Sequence, residues 1–546
     1  MKDCGASTHL LVKGFMLYDS LGFSKCMEAQ SAFINGVILT PSGRAEALAV
    51  YSDRIIKVGT VEEVSQLIGP RTRVVDLGGK FVIPGLIDAH VHLSGYGLSL
   101  TQLNLRGTKS IRELKEAIRE RALSLDKGEW ILGRGWDQEL FEERRYPNRW
   151  DLDEVAPENP VFLRRICGHV CVVNSKALEM AFITKDTKDP PGGKIDRDER
   201  GEPTGILRES AVKLVYKKIP PPSLEQLKEA LARAMHEAVK RGLTSIHFMC
   251  SERFPDELRA LQMLRKEGKL LLRIYLVPPY EFLKELEEVG LSTGFGDSML
   301  RIGGIKIFAD GSLGGRTAAL EEPYADMPGN KGILIHPPEE LKEIVLRVHR
   351  AGFQAVIHAI GDRAIRVALD AIESAIREEP RDHRHRIEHA SLVNPRILER
   401  MRELKVVAVC QPHFIFTDFW AKDRVGPERA KWVYALKSLM KNVVVAGSSD
   451  CPVEPIDPLR GIWAAVTRPF LPKNERLTVE EAIQIYTKGG AYASFEEDEK
   501  GTIEEGKLAD FVVLSDDITK TEPDKIKEIN VEMVVVGGRI VYRRAT

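Results

Sequence analysis

Residues 81–94 read FVIPGLIDAHVHLS, an apolar run that ends on a carboxylate and two imidazoles. The uninterrupted apolar stretch at 82–87 has the character of a single strand buried on both faces, as in parallel sheets. It delivers Asp88, His90 and His92 at its C-terminal end. Side chains two apart in an extended chain point the same way, so His90 and His92 can aim both rings at one point. A His-x-His pair alone is weak, because most loop histidines are solvated or simply hydrogen-bonded. The rest of the chain decides between these readings.

Downstream of Ser223 helix and strand signals alternate regularly. Ser223 and Gln226 form a capping box for a helix ending near Gly242. LTSIHF, LLRIYLV, RIGGIKIFAD, FQAVIHAIGD, HRIEHAS, KVVAVCQPHF and NVVVAGSSD then follow as buried strands. Helical stretches lie between most of them; at 338–351 Leu341, Ile344, Val345 and Val348 mark an apolar stripe. Together with the 81–87 run this makes eight strands, the pattern of an α/β protein with a (β/α)8 TIM-like barrel, whose chemistry sits at the C-terminal strand ends. An open doubly wound sheet is the second choice, and no G-x-G-x-x-G follows a first strand to favour it.

At 546 residues the chain exceeds one ordinary core. Short Val/Ile/Leu-rich runs between 32 and 82, broken by Asn35-Gly36 and Ser52-Asp53, read as antiparallel hairpins, and the last 47 residues repeat that grammar with Gly537-Gly538. We therefore expect a small β-sandwich built from residues 29–85 and 500–546, with the barrel at 86–499 inserted between its halves. Residues 95–210 fit neither a strand nor a simple helix repeat. A connection of that length is usually a functional insertion, here a substrate wall carrying Trp136 and Asp137 in GWDQELF. Residues 1–28 read as an N-terminal extension with no signal-peptide grammar.

Lys and Arg total 79 against 80 Asp and Glu, with no long run of one sign, which argues against nucleic acid or an anionic membrane as partner. No apolar run approaches the roughly 18 residues of a membrane span. Seven cysteines form no C-x-x-C pair, so a reducing cytoplasmic location is the simplest account.

The strand ends hold the chemistry: His90 and His92 on the first strand, Lys306 on the fourth, His358 on the fifth, His389 on the sixth and Asp450 on the eighth. This order resembles the amidohydrolase superfamily. KIFADGSLGGRTA (306–318), HAIGD (358–362), RIEHA (386–390), NSKAL (174–178) and GKLADFVVL (506–514) resemble a narrower branch with N-substituted formamide deformylases and many metal-dependent hydrolases of unassigned substrate.

Independently of any resemblance, borderline-soft zinc favours imidazole, and four histidines with one or two carboxylates suit one or two such ions. The resemblance implies two zinc ions bridged by Lys306 carboxylated on its side-chain nitrogen, with His90, His92 and Asp450 on one ion and His358 and His389 on the other. It also implies attack of hydroxide on a substrate carbonyl, with Asp450 as proton carrier, and a small-molecule substrate. A homodimer is common among such relatives. Lys306 can alternatively pair with an acid such as Asp310, and Asp450 can be a turn residue in GSSDCPVEP. His169 in CGHVCVVNS, and Asp310 and Arg316 in DGSLGGRTA, are substrate-contact candidates; a structural histidine and a loop-internal ion pair are the alternatives. His247 and His413 stand near strand ends. His349, His383 and His385 fall on a helix face and in a charged loop and read as solvated.

The expected activity is hydrolysis of a non-peptide carbon–nitrogen bond. A deaminase or cyclic-amide hydrolase of the same superfamily is one alternative, which the fourth-strand lysine disfavours. A non-catalytic metal-binding scaffold is the other.

Overall fold

The computed structural model describes residues 28–165 and 170–545, so all but the last position of the expected extension lies outside the described residues. The 81–94 stretch is two strands, where the apolar run suggested one. Phe81–Pro84 pairs with Val37–Thr40 and, antiparallel, with Phe511–Leu514. Leu86–Val91 pairs in parallel with Leu243–Met249. Pro84 cannot donate to a ladder. A Cβ on Gly85 would lie 2.2 Å from Thr244 Oγ1, so glycine alone lets the chain change sheets there.

Leu86–Val91, Leu243–Met249, Arg273–Val277 and Leu300–Ile302 form a four-stranded parallel sheet. Ile305–Phe308, Ala355–Ala359, Arg386–His389, Val407–Cys410 and Val445–Gly447 form a five-stranded one. The RIGGIKIF run breaks at its glycine pair, where a Cβ on Gly303 would sit 2.2 Å from the Tyr275 ring. The sheets meet at both edges. Lys306 N–H donates to the Pro278 carbonyl at 2.8 Å, and Asp450 N–H donates to the His90 carbonyl at 2.9 Å. The architecture is thus α/β with a TIM-like barrel assembled from two sheets and not from one closed ladder.

Helices at Leu224–Lys240, Phe254–Lys266, Pro338–Arg350, Asp362–Glu378 and Pro395–Glu403 lie between the strands. The Ser223–Gln226 capping box forms, and Leu341, Ile344, Val345 and Val348 are all buried.

Both chain ends enter one six-stranded sheet: Val37–Thr40, Gly43–Ala45 and Phe81–Pro84 with Phe511–Leu514, Val531–Val536 and Arg539–Arg543. A four-stranded sheet from Ser31–Ile34, Ala47–Tyr51, Arg54–Gly59 and Arg73–Asp76 shares an apolar cluster with it, and the Phe33 and Phe511 rings meet edge-on at 4.9 Å. Arg273 of the barrel reaches this unit through a buried two-pronged pair with Asp510, at 2.6 and 2.9 Å.

The insertion is more ordered than its sequence suggests. It carries a six-stranded mixed sheet and two apolar clusters. Trp136 and Phe141 stack inside one of these clusters, both fully buried. Trp136 is therefore core of the insertion and not substrate wall. Among the described residues no helix is long and apolar enough to cross a membrane.

His349, His383 and His385 are buried, contrary to their sequence reading. The charged loop around them folds back against the barrel, and the rings satisfy one another. Ala355 N–H donates to His385 Nδ1 at 2.9 Å, so the His385 proton sits on Nε2 and points to His349 Nδ1 at 2.9 Å. His349 Nε2 then donates to the Glu379 carbonyl at 2.7 Å, and His383 Nε2 to the Leu404 carbonyl at 2.9 Å. Burial holds His385 well below the ordinary histidine range, lowers His349, and brings His383 to about 4. The unfolded chain therefore binds more protons than the folded one once pH drops through about 6.5. Stability from this cluster is full above that point and declines as pH falls towards the folded values. The urea midpoint of the parent should fall between about pH 7.5 and pH 5 more steeply than that of His385→Asn, which keeps an acceptor for Ala355 N–H but does not titrate. Equal slopes would count against the cluster as a source of pH dependence.

Candidate metal centre

Four strand ends converge on one point. His90 closes Leu86–Val91 and His92 caps the following helix. Lys306 lies in Ile305–Phe308, His358 in Ala355–Ala359, and His389 ends Arg386–His389. Asp450 follows Val445–Gly447. Its Oδ1 stands 3.3 Å from His92 Nε2 and 3.5 Å from His90 Nε2. Lys306 Nζ is 3.3 Å from His90 Nε2. The His90 and His389 rings are 5.0 Å apart and those of His358 and His389 4.4 Å. His90, His389 and Asp450 offer ligand atoms that all lie within 4.8 Å of one another.

Two of these side chains need an unusual backbone. Regular alternation would send Glu388 and His389 to opposite faces. Instead φ is +72° at His389 and +43° at Ala390, and Asp450 also has φ of +59°. Left-handed conformations at non-glycine residues concentrate at functional sites.

The electrostatics suit a cation. Burial, followed by the neighbouring Lys306, holds His90 well below the ordinary range; burial and then His358 does the same for His389. His358 is brought to about 3, chiefly by burial. All three are therefore neutral imidazoles with lone pairs to give. Burial lowers the Lys306 amine to about 8, which leaves a substantial neutral fraction near neutral pH. Asp450 Oδ1 is buried and makes no hydrogen bond. An unsatisfied carboxylate oxygen beside neutral imidazoles is costly unless something positive joins it, so the donor set fits a divalent ion.

A supporting layer fixes how each ring is presented. Glu388 accepts from His90 Nδ1, and the Gln411 side-chain oxygen accepts from His389 Nδ1 at 2.8 Å, which leaves Nε2 of both rings facing the centre. His358 is reversed: its Nε2 donates to the Gly311 carbonyl at 3.0 Å, which leaves Nδ1 free. Asp88 accepts from Ser449 N–H at 2.9 Å and from His90 N–H at 3.2 Å, and burial raises its carboxyl to about 7. Sequence reasoning passed over Glu388 and Gln411. The available signal was a pair of charged residues, Arg386 and Glu388, two apart in an otherwise apolar strand.

Asp310, expected to touch substrate, is 1% exposed and accepts backbone N–H groups from Ala319, Ile360 and Gly361 at 2.9 to 3.0 Å. It ties the Gly-rich loop to the HAIGD segment and stands 3.6 Å from His358 Nε2, a supporting position. Arg316 forms an ion pair on its loop, with Asp326 at 2.9 Å and not with Asp310. His169 lies outside the described residues. His247 is buried, with Nδ1 2.9 Å from Arg386 Nη1. Cys451 is buried and its thiol is raised by burial, which agrees with an inert side chain.

Imidazoles, a buried amine and an unpaired carboxylate at the C-terminal strand ends of an α/β barrel define a metal-dependent hydrolase. The chain belongs to the amidohydrolase family, which it matches over residues 73–542. It is 37% identical to YtcJ of Bacillus subtilis, which carries an amidohydrolase name, over 93% of this chain and 98% of that protein. It is 29% identical to the N-substituted formamide deformylase of Arthrobacter pascens, over 94% and 98% respectively. Among solved structures, an uncharacterized metal-dependent hydrolase from Pyrococcus furiosus superposes with a TM-score of 0.78 at 38% identity, covering 90% of this chain and 100% of that one.

Proposed function

We propose that the protein hydrolyses a carbon–nitrogen bond of amide or N-formyl type in a small molecule. The observation that carries this reading is the unpartnered Asp450 Oδ1 within 3.5 Å of both His90 and His92 Nε2. His90, His92 and Asp450 would hold one zinc ion, His358 and His389 a second, and Lys306 would bridge them as a carbamate. The carbamate forms when the neutral amine adds to carbon dioxide with loss of a proton. Bound ions would polarise the substrate carbonyl and lower the pKa of a water towards 7.

Asp450, close to both first-strand histidines and otherwise free, takes the proton from the attacking water and returns it to the departing nitrogen. Glu388 and Gln411 keep their imidazoles in the tautomers this needs. Arg316 and His169 are candidates for substrate contact from the loops. The similarity to a deformylase supports the N-formyl reading, and Lys306 is the residue that weighs against a single-ion deaminase.

We also read the two terminal sheets as one β-sandwich on the strength of their shared core. The protein is read as cytoplasmic because Cys171, Cys250, Cys410 and Cys451 are all free.

Metal analysis of zinc-supplemented protein should give about two ions per chain. A screen over N-formyl, N-acyl and cyclic amides should find turnover that a chelator abolishes and zinc restores. Fewer than about one ion per chain after supplementation, with no turnover on any amide, would overturn the reading.

A further inference from the structure

The fourth strand places Phe308 two residues beyond Lys306, on the same side of the strand. Lys306 is 4% exposed and Phe308 44%, so the phenyl ring stands at the mouth above the amine. Its centroid is 5.2 Å from the His358 ring and 4.9 Å from Lys306 Nζ. The apolar surface continues from there. Ile335 N–H donates to the Ala309 carbonyl at 2.9 Å, which lays the 333–335 segment alongside the strand end. Ile333 and Ile335 are 63% and 49% exposed, whereas Leu334 between them turns to the core. Three large apolar side chains, alternating outward and adjoining two candidate metal ligands, make a strip that water covers at a cost.

We propose that Phe308, Ile333 and Ile335 form a subsite for a bulky apolar substituent next to the scissile bond, so that the preferred substrate is an amide carrying a ring or branched hydrocarbon group. This rests on the hydrolase reading above. The occupant is substrate and not a partner protein, because the ring abuts His358 and Lys306. A second copy or another domain seated there would cover the centre that substrate and water must reach. A polar or charged substituent would lose its hydration against this strip without a compensating hydrogen bond.

The test compares N-cyclohexylformamide with N-methylformamide on the zinc-loaded enzyme. The expected kcat/KM ratio is roughly a hundredfold in favour of the cyclohexyl compound. Phe308→Ala and Ile335→Ser should each reduce that ratio about tenfold. Binding of the same pair to Asp450→Asn, by calorimetry, supplies a readout that needs no turnover. No hydrolysis of either compound, with the cyclohexyl preference retained in binding, would sink the deformylation chemistry and leave the subsite standing. Turnover with equal kcat/KM for the two compounds, or a preference unchanged in both variants, would overturn the subsite alone. Binding of neither compound would overturn both. Sedimentation showing a dimer that Ile333→Ser dissociates would assign the strip to a second copy and overturn the proposal as well.

Discussion

Asp450→Asn is expected to lower kcat by about a thousandfold or more on whichever amide the screen identifies, with little change in the unfolding midpoint. The two effects separate because of how the residue is held. Its place depends on a backbone bond, Asp450 N–H to the His90 carbonyl at 2.9 Å, and asparagine keeps it. The φ of +59° is one that asparagine accepts as readily as aspartate. The side-chain oxygen facing His90 and His92 has no hydrogen bond to lose. What asparagine lacks is basicity: an amide cannot take a proton from water near neutral pH. Positioned proton transfer contributes about 10² to 10⁴ in rate, and a weakened ligand adds to the loss. The measurement is kcat together with zinc per chain and the thermal midpoint. A kcat within about tenfold of the parent, at full zinc occupancy, would remove Asp450 from the proton path.

The barrel was legible because its strands are buried on both faces and so read as continuous apolar runs separated by amphipathic helices. That same continuity hid the breaks. Nothing in the composition of 81–87 marks the change of sheet at Gly85, and RIGGIKIF differs from an unbroken strand only by two glycines whose close neighbours, Tyr275 and Val356, are distant in sequence. The site was legible where function demands rare residue types at strand ends: His90, His92, Lys306, His358, His389 and Asp450 all stood out against apolar strands. The supporting groups did not. Asp310 looked like a substrate contact because it sits in a Gly-rich loop, but its oxygens are filled by three backbone donors that only the folded loop assembles. His385 looked solvated because its neighbours in sequence are charged, while its neighbours in space are two other histidines. Long-range packing decides such cases, and periodicity does not encode it.

The second large effect concerns Glu388, which bears on both stability and metal. Its Oε1 accepts from Arg386 Nε at 2.8 Å, and its Oε2 accepts from Arg386 Nη2 at 3.0 Å and from His90 Nδ1. Glu388, Arg386 and His90 are all fully buried. Arg386 has further partners in the Ala89 carbonyl at 2.7 Å and His247 Nδ1 at 2.9 Å, but neither carries a negative charge. In Glu388→Gln the guanidinium is left in the interior without its counter-charge, a change that typically costs about 3–5 kcal/mol. The substitution also acts on His90. A glutamine that turns its oxygen to Arg386 presents its N–H₂ to His90 Nδ1, which forces the ring proton onto Nε2, the atom that faces Asp450 and Lys306. That is the wrong tautomer for a ligand, and loss of such a partner lowers metal affinity about 10–100-fold. Glu388→Gln should therefore lower the unfolding midpoint even without metal and, separately, release zinc to a competing chelator at lower chelator concentration. Glu388→Asp, which keeps the charge with a shorter reach, should fall between. A variant that lost stability but held zinc as tightly as the parent would show that Glu388 serves Arg386 alone. His90 would then owe its orientation to the strand and not to this carboxylate.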